Sequence, residues 1–268
     1  MQTWWGRQHW DSGATLGWQL ADLQLAITRL EQEWQIRIQQ PLHISEDRHD
    51  WQALAPAATD QISDGELRRH VGATTQEYMQ LLPKLADRPV VVRPAHQLFI
   101  APQVSVTLYI STPVWLVFCS DDTSNPLLDL PVTRPSDSWF GPNTRQGELC
   151  YATRVVGRLH LQELTQHPFR AVTPVRIYNG GDQPFPLQRL AVPVQFLPLH
   201  VSEAGRLWTP TLNVYCDASN EHAEIRMANR VDHAAGPTTL LSPPRTPLGS
   251  GNLVRALDML FASRANGL

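Results

Sequence analysis

From Thr173 to Val201 the chain reads TPVRIYNGGDQPFPLQRLAVPVQFLPLHV, and few folds accommodate such a stretch. Val175 and Ile177, then Leu187 to Val194, space apolar residues at period two around Asn179-Gly180-Gly181-Asp182. Asn and Gly tolerate the positive φ of a tight reversal, so the segment is expected to run strand, turn, strand. Pro174, Pro184, Pro186, Pro193 and Pro198 lack a donor N–H and suit strand ends, edges and bulges rather than a central ladder. Alternation punctuated by proline in this way suits an antiparallel sandwich with blunted edges. The expected fold class is mainly β: an antiparallel β-sandwich, immunoglobulin-like or related, in one or two lobes.

The same alternation recurs elsewhere. Leu16 to Gln39 forms strand-like runs with a change of phase at Ala21-Asp22 and a polar turn at Glu31-Gln32-Glu33. Residues 40–63 lose the pattern and are expected to be loop. Asp64 to Leu85 is open between a helix capped by Asp64 and an extended run. Val90–Val92, Leu98–Ile100, Val104–Ile110 and Val114–Phe118 read as four short strands, each set off by proline, with Trp115 as an inward anchor. Asp121 to Asn143 is polar and poorly periodic, and it marks a boundary between lobes 1–120 and 121–268. Leu159 to Leu164 fits either a strand or one helical turn, and Leu212–Cys216 and Glu224–Met227 are strands about a turn. Leu253, Ala256, Leu257, Leu260 and Phe261 fall on one helical face after Gly249-Ser250-Gly251-Asn252, which predicts a C-terminal α-helix.

Composition narrows the functional classes. The 268 residues are 42% hydrophobic and only 18% charged, lean beside the roughly 25% of an average domain, which leaves surface for a partner. A net charge of −3 supplies no basic field for nucleic acid or anionic lipid. Lys84 is the sole lysine, and the arginines cluster only at Arg68-Arg69. Cys119, Cys150 and Cys216 are an odd set without CxxC spacing, neither a disulfide framework nor a zinc knuckle. Ten histidines show no HxH or HExxH spacing, and the local pairings His200/Glu203 and His222/Glu224 make weak metal sites. Phosphate-loop motifs are absent, so no cofactor and no metal is expected. The opening MQTWWGR has no basic region followed by an apolar run, and no stretch is apolar enough to span a bilayer. These features lead to the expectation of a cytoplasmic protein, with Trp4, Trp5 and Trp10 packed back onto the body.

The richest cluster of recognition chemistry is SDSWFGPNTRQGELCY, residues 136–151. Trp139 and Phe140 beside a Gly-Pro turn, with Arg145 close by, have hot-spot composition, though inward packing would equally pin the loop. Trp139, Phe140, Arg145 and, from the irregular Pro243-Pro244-Arg245, Arg245 are the candidate binding residues. They point to a non-enzymatic module that binds a protein partner or itself. A rival reading is a hydrolase or ligand-binding enzyme with Asp137, Glu148, Cys150 and His160 or His167 in a cleft between lobes. Cys150 lies between Leu149 and Tyr151 in an expected strand, without the glycine-rich elbow of a nucleophile.

SDSWFGP at 136–142, GELCYA at 147–152, AVTPV at 171–175 and LWT at 207–209 together resemble a prokaryotic family known as domain of unknown function four-three-two. DRPVVVRP at 87–94 and STPVW at 111–115 fit the same resemblance. It covers nearly the whole chain and carries no activity, cofactor or catalytic residue. What it implies is a membrane-linked partner, a small-conductance mechanosensitive channel, with any membrane association arising through that partner.

Overall fold

The structure is a computed structural model that describes residues 3–40, 50–62, 65–122, 125–141, 145–216, 222–247, 252–256 and 261. It is mainly β and is built from several sheets. The chain groups into two units, residues 1–84 with 114–134 and residues 85–113 with 135–268.

The first unit contains a sheet of β2 (Thr15–Leu20), β3 (Leu23–Arg29), β4 (Glu33–Gln39), β5 (Trp51–Leu54) and β6 (Glu66–Val71), in the order β5-β2-β3-β4-β6. The phase change at Ala21-Asp22 is the β2–β3 turn, with Ala21 at φ 51°. Alternation sends Trp18, Leu20, Leu23, Leu25, Ile27, Trp34 and Ile36 inward, where all are buried. The opposite face carries Gln52, Gln19, Gln24 and Gln39 in a cross-strand row. β1 (Gly6–His9) pairs with β7 (Tyr78–Leu85), and β11 (Leu128–Pro131) pairs with residues 115–118 of β10 (Ser105–Cys119). Just past β1, Trp10 is fully buried and packs against Trp18, Trp34 and Phe118 at centroid distances of 6.1, 5.3 and 5.5 Å. Its indole N–H donates to the Ile27 carbonyl at 3.1 Å. Trp4 is buried as well.

In the second unit, residues 105–113 of β10 pair antiparallel with β14 (Arg170–Asn179). β14 also pairs in parallel with β18 (Leu207–Trp208) and β19 (Pro210–Cys216), and β18 continues to β17 (Leu199–Ser202) and β21 (Thr238–Ser242). β19 leads to β20 (His222–Val231) and β22 (Asn252–Ala256). A four-stranded sheet has the order β12 (Ser136–Phe140), β13 (Glu148–Gly157), β8 (Val90–Pro94), β16 (Leu190–Val192). A ribbon pairs β9 (Leu98–Ile100) with β15 (Phe185–Leu187).

Several expectations change. The architecture is not purely antiparallel, because β13 with β8 and β14 with β18 and β19 are parallel pairs joined through long crossovers. Asn179-Gly180-Gly181-Asp182 does not close a hairpin: β15 and β16 turn away to β9 and β8. Asn179, fully buried, organises this corner by donating to the carbonyls of Ile100 and Gln183 and accepting from Gly181 N. Gly180 is glycine for want of space, since a Cβ there would lie 2.6 Å from the Cys216 carbonyl oxygen. The two runs expected on either side of Pro113 are one strand of 15 residues. Proline has no N–H to give a ladder, and at Pro113 the ladder with β14 ends while from Trp115 the partner is β11.

Trp51–Leu54 is strand rather than loop, paired with β2. Asp64 to Leu85 takes the extended alternative in β6 and β7, and Leu161–Glu163 forms one 3-10 turn. The expected C-terminal helix is replaced over Asn252–Ala256 by β22, with Leu253 opposite Ile225. Helix propensity over so few residues is a weak bias, and ladder bonds to β20 outweigh it. Residues 257–260 lie outside the described residues.

Candidate functional site

The segment 136–151 folds as the β12–β13 hairpin, with Trp139 opposite Leu149 and Asp137 opposite Tyr151. Its period-two alternation separates the candidate residues onto two faces. Phe140 points inward, is 3% exposed, and packs with Val91, Cys150 and Ala191. The Arg189 guanidinium lies 5.7 Å from its ring centroid. Trp139 points the other way and stays 48% exposed beside Leu149 at 45%.

Two glycines shape the end of this hairpin. A Cβ on Gly147 would come within 2.6 Å of the Trp139 indole nitrogen and 2.7 Å of the Phe140 carbonyl oxygen. One on Gly141 would meet the Gln146 carbonyl oxygen at 2.3 Å. The indole thus lies against bare backbone, and any larger residue at 147 would dislodge it.

Beside the Trp139/Leu149 pair runs a polar chain. Arg88 donates to Asp137 at 3.2 Å and lies 3.7 Å from Asp87, its guanidinium 5.3 Å from the centroid of the Tyr151 ring. The Tyr151 hydroxyl donates to Asp87 at 2.9 Å. Burial first, then that hydrogen bond to an anion, push the Tyr151 phenol up to about 12, so it remains a donor at neutral pH. These ion pairs are solvent-exposed, and such pairs contribute about 0–1 kcal/mol to stability. Their consequence is positional: they fix the Tyr151 ring and the Arg88 fork beside the exposed apolar pair.

The other candidates sit apart from this patch. Arg145 is exposed in the turn of the hairpin. Arg245 is half-buried, and its Nε donates to the Leu85 carbonyl at 2.6 Å, which ties the Pro243-Pro244-Arg245 segment to the second unit. Cys150 is fully buried, its thiol directed at the Glu148 carbonyl at 3.6 Å. Asp137 projects from the opposite face, so strand alternation separates it from the thiol, whereas Glu148 shares the face of Cys150. Among the described residues no group of three His, Cys, Asp or Glu side chains is placed to hold a metal ion. Of the local His/acid pairings, the 221–222 side chains lie outside the described residues.

Sequence reasoning missed Asp87, Arg88, Leu149 and Tyr151. Alternation through Leu149-Cys150-Tyr151 does put Leu149 and Tyr151 on Trp139's side once Cys150 is taken as inward. Arg88 reaches the patch because β8 pairs in parallel with β13, Val90 beside Tyr151, and nothing local in the sequence announces that pairing.

Fold and patch together define a mainly β, multi-sheet protein with an exposed aromatic and arginine surface on a hairpin. The chain belongs to the family described as protein of unknown function (DUF432), which it matches over residues 4–260. No curated protein and no solved structure matches it.

Proposed function

We propose that the protein is a non-enzymatic interaction module and that its binding surface is the outer face of the β12–β13 hairpin. The observation that carries this reading is the exposed Trp139/Leu149 pair, seated on Gly147 and flanked by Tyr151 and Arg88. Trp, Tyr and Arg are the residue types that dominate binding energy at protein interfaces, and here all three are held in place before any partner arrives. Arg145 extends the surface at the hairpin turn, whereas Phe140 supports it from beneath. The first unit, where Trp10 meets Trp18, Trp34 and Phe118 and Trp34 meets Phe118, supports a sandwich-type scaffold. The partner is a protein rather than nucleic acid, given the net charge of −3. No helix among the described residues is long and apolar enough to cross a membrane, and membrane association is proposed to arise only through the partner.

The test is quantitative affinity capture from lysate with solubilised membranes, comparing the native protein with Trp139→Thr and with Tyr215→Ala, a control at a different exposed aromatic. A stoichiometric protein retained by native protein and Y215A but lost by W139T is the expected result. Light scattering on the same proteins reveals a second copy as the partner if a dimer disappears in W139T. Equal capture by all three, or no partner and no dimer, overturns the proposal.

A further inference from the structure

We propose that Arg206 and His200 form a recognition site for an oxyanion, a carboxylate or a phosphate, on one face of the β17–β18 pair in the second unit. The turn that joins these strands is closed by Gly205 N donating to the Ser202 carbonyl at 2.8 Å, and Gly205 adopts a φ of 78° that favours glycine. Ser202 N then donates to the Arg206 carbonyl, and Arg206 N donates to Ser202 Oγ at 3.2 Å. His200 lies opposite Trp208 and Val201 opposite Leu207. Alternation therefore sends His200, Ser202, Arg206 and Trp208 to one face and Leu199, Val201 and Leu207 to the other.

Trp208 is buried and fixed in a cluster with Leu164 and Val172. The Arg206 guanidinium carbon stands 5.4 Å from its ring centroid, so a planar cation rests on an immobile aromatic. Arg206 Nη2 and His200 Nδ1 are both buried, and neither has a hydrogen-bond partner among the described residues. Burial pulls the pKa of each group down, and among the described residues no carboxylate offsets it for Arg206. Other arginines are neutralised nearby: Arg69 by Glu33, Arg68 by Glu66, Arg226 by Glu224.

A desolvated cation without a counter-charge is costly in a fold, and binding an anion would offset that cost. The donors decide the ligand. A guanidinium fork matches the paired oxygens of a carboxylate or phosphate, and the imidazole adds a further hydrogen bond. Arg206 is only half-buried as a residue, and Leu240, opposite His200 on β21, is 61% exposed, so solvent reaches this face of the sheet.

The experiment measures Tm and calorimetric titration of the full chain in sodium phosphate and in sodium acetate, each against sodium chloride of equal ionic strength. Flotation with vesicles containing phosphatidic acid separates a lipid phosphate from a free one. Native protein should gain Tm with at least one anion, or float with the vesicles. Arg206→Met should bind at least tenfold more weakly yet melt in chloride no lower than native, because an unpaired buried charge has been removed. Arg206→Lys and His200→Gln should each keep part of the response, and they carry the test if R206M does not fold. No response to phosphate, acetate or vesicles overturns the proposal. So does an unchanged anion response in R206M with a lower Tm in chloride, the behaviour of an arginine that merely packs.

Discussion

Trp139 and Phe140 are adjacent in sequence and opposite in consequence, and substituting each gives the sharpest check on the hairpin. Phe140 is 3% exposed against Val91, Cys150 and Ala191, so Phe140→Ala removes a full aromatic side chain from a packed cluster. Such truncations cost about 3–5 kcal/mol. Trp139 is 48% exposed, so it buries about half of the roughly 150–250 Å² an aromatic can cover. At ~25 cal/mol per Å² that is about 2–3 kcal/mol, an upper bound because unfolded chains already bury part of their surface. Threonine keeps β propensity and some of the contact, which leaves a loss of about 1–2 kcal/mol for Trp139→Thr. Urea unfolding followed by circular dichroism gives both values, and affinity capture gives the second axis. W139T should stay folded and lose the partner. F140A should lose most of its stability and, under conditions where it remains folded, retain the partner. Equal destabilisation by the two substitutions would show that the indole belongs to the core and would refute the face assignment.

Gly147→Ala should displace the Trp139 indole, shift its fluorescence and weaken capture, at a stability loss of about 1–3 kcal/mol from overpacking; unchanged emission would contradict the close approach. Glu33 accepts two 2.6 Å hydrogen bonds from Arg69 and one from Gln35, which hold its carboxyl down at about 2. Its contribution is complete above the ordinary value of 4.5 and fades as pH falls toward 2, so Glu33→Gln should flatten stability against pH in that window when chemical denaturation is followed at stepped pH. Trp10→Phe should lower stability by about 1–3 kcal/mol, since the indole that donates to the buried Ile27 carbonyl is lost and a smaller ring remains among Trp18, Trp34 and Phe118; differential scanning calorimetry reads it.

What was legible in the sequence was local. The strands of Leu16 to Gln39 and their turns follow from alternation and a polar break, because each residue there pairs with a near neighbour. Trp139 was legible as a candidate for the same reason, since an aromatic next to a Gly-Pro turn is unusual wherever it points. Long-range pairing was not legible. Val90–Pro94 joins β13 in parallel and β16 antiparallel, and none of the three segments records the others in its composition. Asn179-Gly180-Gly181 has the chemistry of a hairpin turn, but its glycine answers to the Cys216 carbonyl on a different strand. Leu253 to Ala256 shows how short patterns fail: Leu253 and Ala256, two of the five apolar positions at helical spacing, lie in a strand paired with β20.

The same distinction separates what holds this fold from what it displays. The first unit is centred on Trp10, Trp18, Trp34 and Phe118, where Trp10 meets the other three and Trp34 also meets Phe118. Those residues need no ligand to account for them. The Arg88, Asp87, Asp137 and Tyr151 chain stands on the other side of that line, since exposed ion pairs add too little stability to explain so defined an arrangement. Arg206 stands further still, where burial with no counter-charge among the described residues works against the fold. Groups that contribute little to folding, or oppose it, are the ones whose presence calls for a partner: the Arg88 chain beside an exposed apolar pair, and Arg206 against a buried indole.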